Sequence, residues 1–163
     1  MVELKAVVPR SLCKRIVGRQ GGNSKFLEQE YAVRVKIDPW RDSSSAYDKL
    51  SNTIVIFSGD FRDVVKACLA SDQKTESAVI YDGTLYGLKI ALPEIFFQEN
   101  DISELQRISL ENSNVTCGTR NLPDSDEKCL TIESDSKYVI KKILQKIFDF
   151  PLPPLHSWTM VRF

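Results

Sequence analysis

The stretch Ile16-Val17-Gly18-Arg19-Gln20-Gly21-Gly22 decides how this chain is read. Two β-branched residues run into a glycine, two polar residues and two more glycines. Glycine has no Cβ, so a backbone built from it can turn left-handed and come very close to a partner. One reading is a plain turn between two helices. The other is a loop that brings peptide N–H groups up to something negatively charged. Arg19 adds a forked cationic donor. A helix opening near Asn23 would aim its free N–H groups and the positive end of its dipole at the same spot.

Working outward, Leu4 to Val8 ("LKAVV") reads as a strand closed by Pro9, and Ser11 to Val17 as a short helix with Leu12, Ile16 and Val17 apolar. Past the glycines, Asn23 to Glu30 reads as a helix with Phe26 and Leu27 apolar and Asn23 or Ser24 as its cap. "VRVKI", Val33 to Ile37, alternates strictly, with Val33, Val35 and Ile37 on one face and Arg34 and Lys36 on the other. A polar loop, 38–52, carries Trp40 and Tyr47. The strand Thr53 to Gly59 and a helix with Phe61, Val64, Val65, Cys68 and Leu69 on one side complete the series.

The chain then repeats this order. "LYGLKIALP" (Leu85 to Pro93) echoes "MVELKAVVP" (Met1 to Pro9), so that Leu88 matches Leu4 and Pro93 matches Pro9. A helix ("DISELQRISLEN"), a short strand ("NVTCG"), a loop ("TRNLPDSDEK"), a strand ("CLTIES") and a long helix follow. Tyr138, Val139, Ile143, Leu144 and Ile147 form the apolar stripe of that helix. A repeat of about 80 residues is too long for a solenoid. Two copies of one small domain fit: 1–72 with the glycine loop, a linker 73–83, 84–150 without the loop, and a Pro-rich apolar tail, 151–163.

Composition narrows the function classes. The chain has 163 residues, 42% hydrophobic and 27% charged, which is globular rather than disordered. It has no apolar run of the length that spans a membrane, and its start lacks a secretory h-region. An intracellular protein of the cytoplasm or nucleus is expected. The first strand begins close to Met1, which points to a piece of something longer. Cys13, Cys68, Cys117 and Cys129 form no C-x-x-C pair, and His156 is the single histidine. Zinc is therefore not expected, nor any other metal or cofactor. Buried free thiols are one reading of the cysteines, and a Cys117–Cys129 disulfide across a hairpin is the other. No nucleophile–base constellation can be built around His156, and Glu99 with Asp101 has no supporting site signal, so no enzyme is expected.

The zero net charge hides an asymmetry. Eight basic residues (Lys5, Arg10, Lys14, Arg15, Arg19, Lys25, Arg34, Lys36) face only Glu28 and Glu30 between residues 4 and 37. Between 93 and 136, ten acidic residues outnumber three basic ones. The first segment attracts a polyanion and the second repels one.

On the residues "LKAVVP", "RIVGRQGG" and "KFLEQEYAVRVKI", the first repeat resembles the KH domain. Its order is that of the eukaryotic type I arrangement, β-α-α-β-β-α, found in poly(C)-binding, hnRNP K, Nova and MEX-3 proteins. Tyr31, Ala32 and Val33 stand where Thr-Gly-Ala is usual. Ser24 departs from the family's isoleucine, with Phe26 or Leu27 left to take over its packing. The resemblance implies an α+β fold of two type I KH domains, each a three-stranded antiparallel sheet packed by three helices, the second copy degenerate. It implies a loop, Gly18, Arg19, Gln20, Gly21 and Gly22, that clamps about four nucleotides of single-stranded RNA, with single-stranded DNA an allowed variant. Ile16, Val17, Val35 and Ile37 become candidate groove residues. Arg34 stands where cytosine-preferring relatives carry a base-reading arginine, and Arg10, Lys14, Lys25 and Lys36 are further contacts. Arg34 and Lys36 also fit a plain solvated strand face.

In the second copy "FFQENDIS" replaces the glycine loop, placing Glu99 and Asp101 where a phosphate would come. That copy is expected to be structural or to dock a protein or a second copy of the chain; Phe96 and Phe97 fit that role or a simple core. Trp40 and Tyr47 either stack on bases or cover the domain edge. The tail packs over the repeats or serves a partner. The leading expectation is an RNA-binding protein of post-transcriptional mRNA regulation. The alternative is an interaction or dimerisation scaffold within a ribonucleoprotein complex. The two separate on Gly18→Asp, or on Arg19→Asp with Gln20→Asp, expected to remove RNA binding while leaving the fold intact.

Overall fold

The computed structural model describes residues 2–37, 52–69, 78–108, 112–122 and 125–149. The linker core, the loop with Trp40 and Tyr47, and the tail with His156 lie outside the described residues. The chain divides into two compact units, one of residues 1–80 with 88–90 and the other of 81–87 with the residues from 91 on; β5 is described below with the second.

In the first unit, β1 (Val2–Pro9) runs to a proline that has no N–H to continue a ladder, and α1 (Arg10–Val17) starts on the next residue. A single 3-10 turn, Arg19–Gly21, leads into α2 (Gly22–Tyr31). Then come β2 (Arg34–Ile37), β3 (Asn52–Gly59) and α3 (Phe61–Leu69). The sheet order is β2-β3-β1. β3 is central and antiparallel to both neighbours, with Val7 opposite Ile54 and Val35 opposite Phe57. Leu4, Val8, Leu12, Ile16, Leu27, Val33, Ile54, Phe57, Val64, Val65 and Cys68 form the core. The core position left by Ser24 goes to Leu27, which is fully buried, while Phe26 is 40% exposed.

In the second unit a two-residue strand, β4 (Ile80–Tyr81), pairs with β5 (Tyr86–Pro93). α4 (Glu94–Glu99) follows Pro93 directly, then α5 (Ser103–Ile108), β6 (Ser113–Asn121), β7 (Glu127–Ser134) and α6 (Lys137–Asp149). The sheet order here is β5-β7-β6. After β4, the sequence of elements and the order of strands are those of the first unit.

Three expectations need correction. α4 is a helix of its own, whereas the sequence reading placed one helix from Asp101 on. Its apolar residues, Ile95, Phe96 and Phe97, are consecutive and carry no helical period; Phe96 alone of the three is fully buried. Tyr138, assigned to the buried stripe of α6, is 62% exposed, and Ile140 takes its place inside. The hairpin does not bridge Cys117 to Cys129. Cys117 pairs with Leu130, so Cys129 falls one residue out of register on the opposite face, and none of the four cysteines forms a disulfide.

Candidate nucleic-acid interface

The glycine turn is held from both sides. Gly18 closes α1 by donating its N–H to the Lys14 carbonyl at 2.9 Å, and Gly21 donates to the Gly18 carbonyl at 3.2 Å. Gly18 sits at φ +78°, and a Cβ there would lie 2.6 Å from Asn23 Cβ and 2.7 Å from Asn23 N. Only glycine lets the chain pass itself this closely. Gln20 and Gly21 are also left-handed, at φ 55° and 74°. Gly22 is an ordinary helical residue with nothing within 4 Å of its Cβ position.

Asn23 does not cap α2, contrary to the sequence reading. Its side-chain amide reaches back and donates to the Ile16 carbonyl at 2.7 Å and the Arg15 carbonyl at 3.4 Å, so it closes the end of α1 instead. Ser24 donates its hydroxyl to the Gly21 carbonyl at 3.0 Å. α2 consequently opens on left-handed Gly21 with no side-chain cap. Its first-turn dipole end is left beside Arg19 and Gln20, both exposed, with Lys14 exposed one turn before and Lys25 exposed at the start of the helix. This is the arrangement that receives an anion.

The other candidates divide. Val17, Val35 and Ile37 are half-buried. Ile16, expected in a groove, is fully buried and belongs to the core. Arg34 and Lys36 are exposed on the face of β2 opposite Val35 and Ile37. Arg10 starts α1, at the end away from the turn, about 12 Å along the axis at 1.5 Å per residue. The turn thus has exposed Lys14 and Lys25 close to it along the chain, whereas Arg10 stands at the far end of α1 and Arg34 and Lys36 on the other face of β2.

One contact had no sequence signal. The Glu28 carboxylate accepts the Val35 N–H at 3.1 Å, fastening α2 to β2. The second unit makes the corresponding link with the opposite polarity: Gln106 on α5 donates to the Val115 carbonyl of β6 at 3.1 Å.

The turn between α4 and α5 is built differently. Asn100 is extended and returns both its N–H and its side-chain amide to the Phe96 carbonyl at 3.0 Å. The Asp101 carboxylate takes the Ser103 N–H at 2.9 Å, and that bond holds its carboxyl below the usual range. An internal anion caps this helix where the first unit leaves the helix end uncapped. Among the described residues, no group of three or more His, Cys, Asp or Glu could hold a metal.

Residues 3–71 match the family model of the KH domain. The first unit therefore contains a KH domain, a module that binds single-stranded nucleic acid. The search of curated proteins returned no match.

Proposed function

We propose that the first unit binds single-stranded RNA by clamping the sugar–phosphate strand on the Gly18–Gly21 turn, with Arg19, Lys14 and Lys25 meeting phosphates. Val17, Val35 and Ile37 provide the apolar wall for the bases, backed by Ile16. The observation that carries this reading is the uncapped start of α2 beside exposed Arg19, on a turn whose first glycine nothing else can replace. The second unit is a degenerate copy of the same domain, because it repeats the element and strand order but fills its helix end with Asp101. At its own helix junction that copy is structural or protein-docking rather than a clamp. The chain works as a binding module without catalysis, in regulation of messenger RNA.

The test is fluorescence anisotropy of the whole chain with short single-stranded RNA pools. Arg19→Asp with Gln20→Asp changes two exposed side chains and should weaken binding at least tenfold, with an unchanged circular dichroism spectrum. Gly18→Asp is the wrong probe, since its Cβ would strike the Asn23 backbone and disturb the turn itself. Full retention of affinity in the double variant overturns the clamp. Absence of salt-dependent binding to any pool by the wild type gives the protein-scaffold reading instead.

A further inference from the structure

The second unit carries an exposed aromatic surface outside its acidic turn. Tyr81 and Tyr86 flank the tight turn at Asp82–Leu85, their ring centroids 4.7 Å apart. The turn is fixed from within: the Tyr81 hydroxyl donates to the Gly83 carbonyl at 3.0 Å, and the Asp82 carboxylate takes the N–H groups of Thr84 and Leu85 at 2.8 Å. Lys137, the first residue of α6, holds its ammonium 5.6 Å from the Tyr86 ring centre. The next residue is Tyr138, and Lys142, one turn on, lies 4.8 Å over its ring. Tyr81 and Tyr138 are 56% and 62% exposed.

The charge changes sign at this point of the chain. The acid-rich segment ends at Ser136. From Lys137 to Asp149 there are four lysines (137, 141, 142 and 146) and one acid, Asp149. α6 turns Val139, Ile140, Ile143, Leu144 and Ile147 inward and leaves Tyr138 and Lys142 outside. Two carboxylates neighbour the rings in sequence; Asp82 is engaged by its own turn, and Asp135 is exposed.

We propose that Tyr81, Tyr86, Lys137, Tyr138 and Lys142 form a second contact for single-stranded nucleic acid, with bases stacked on the tyrosine rings and phosphates met by the lysines. Aromatic rings and ammonium groups stand side by side here, the combination that stacks bases and meets the phosphates of a single strand. A protein-docking surface would instead centre on desolvated apolar side chains and be depleted in lysine. This contact needs no glycine turn and does not depend on the clamp in the first unit.

The experiment measures binding of a short random-sequence single-stranded RNA by the whole chain in four forms: wild type, Arg19→Asp/Gln20→Asp, Tyr138→Ala/Lys142→Glu, and all four changes together. Tyr138 and Lys142 are exposed, so the fold is retained, as circular dichroism will verify. The Tyr138→Ala/Lys142→Glu form should bind about tenfold more weakly, in line with loss of one stacked base and one phosphate contact, and show a shallower salt dependence. Tyr138→Phe keeps the ring and should bind like the wild type. Ultraviolet cross-linking should label peptides containing Tyr81 or Tyr138. Unchanged affinity in Tyr138→Ala/Lys142→Glu overturns the proposal, and if that form shifts in oligomeric state instead, the surface is one for protein. If Tyr138→Phe loses as much as Tyr138→Ala, stacking is refuted. If the Arg19/Gln20 form binds normally while the Tyr138/Lys142 form does not, the clamp fails and this contact stands.

Discussion

Ala32 carries a backbone conformation that its side chain opposes. It ends α2 at φ 56°, ψ 44°, a left-handed cap that glycine adopts freely and that costs another residue on the order of 1 kcal/mol. Ala32→Gly should therefore stabilise the first unit by up to about 1 kcal/mol, less what the freer unfolded chain takes back; urea unfolding will measure it, and a destabilised variant would refute the account. The glycines of the turn behave oppositely to one another. Gly18→Ala forces a Cβ to within 2.7 Å of Asn23 N at positive φ, and should cost about 2 kcal/mol or more. Gly22→Ala enters open space at helical φ and should be neutral or stabilising by about 0.5 kcal/mol. Equal effects at the two positions would show that close approach is not what fixes Gly18.

At the scale of the element, the helices and strands follow from apolar spacing, and their ends follow from contacts that spacing does not encode. "VRVKI" announces a half-buried strand, and β2 is exposed and half-buried by turns as read. Pro9 marks the passage from β1 to α1 because proline cannot continue the ladder, and Pro93 does the same before α4. The reach of Asn23 back to Ile16, by contrast, has no sequence signature: an Asn beside a helix start reads as its cap, and only the crossing of two helices offers it other carbonyls. Glu28 was legible as one of two opposing charges and not as a staple to Val35, since that bond depends on where β2 lies. α3 contributes a property that its sequence states only as an apolar position. Cys68 is completely buried, and desolvation pushes its thiol up to about 12 from 9.0. Below pH 9 both folded and unfolded chains keep this proton and the group has no effect. Above it the unfolded chain alone releases the proton, so stability falls by up to about 1.4 kcal/mol per pH unit until the folded thiol itself titrates. Cys68→Ala should remove that part of the alkaline slope. Urea titrations of both forms from neutral to strongly alkaline pH will show it, and parallel curves would mean that the thiol is solvated.

At the scale of the whole molecule, zero net charge conceals two opposed fields, and binding will report which one the ligand meets. A strand clamped over about four nucleotides releases counterions from about that many phosphates, which for single strands gives a slope of log affinity against log salt near −2 to −3. The ten acidic residues between 93 and 136 act at longer range, where salt screens them. Raising salt therefore weakens the clamp through lost counterion release while relieving repulsion from the acidic segment. If the strand lies along Arg19, Lys14 and Lys25, the first effect dominates and the slope stays negative throughout. Arg19→Asp/Gln20→Asp should then flatten it by about one contact's worth, close to 0.7. Glu99→Gln/Asp101→Asn, which removes two acids from the second unit's turn, should shift affinity upward at low salt with little effect at high salt. Anisotropy titrations across a salt series distinguish the two signatures. A wild-type slope of zero, or one that the Arg19/Gln20 change leaves alone, would mean that the cationic turn and the phosphate strand never meet.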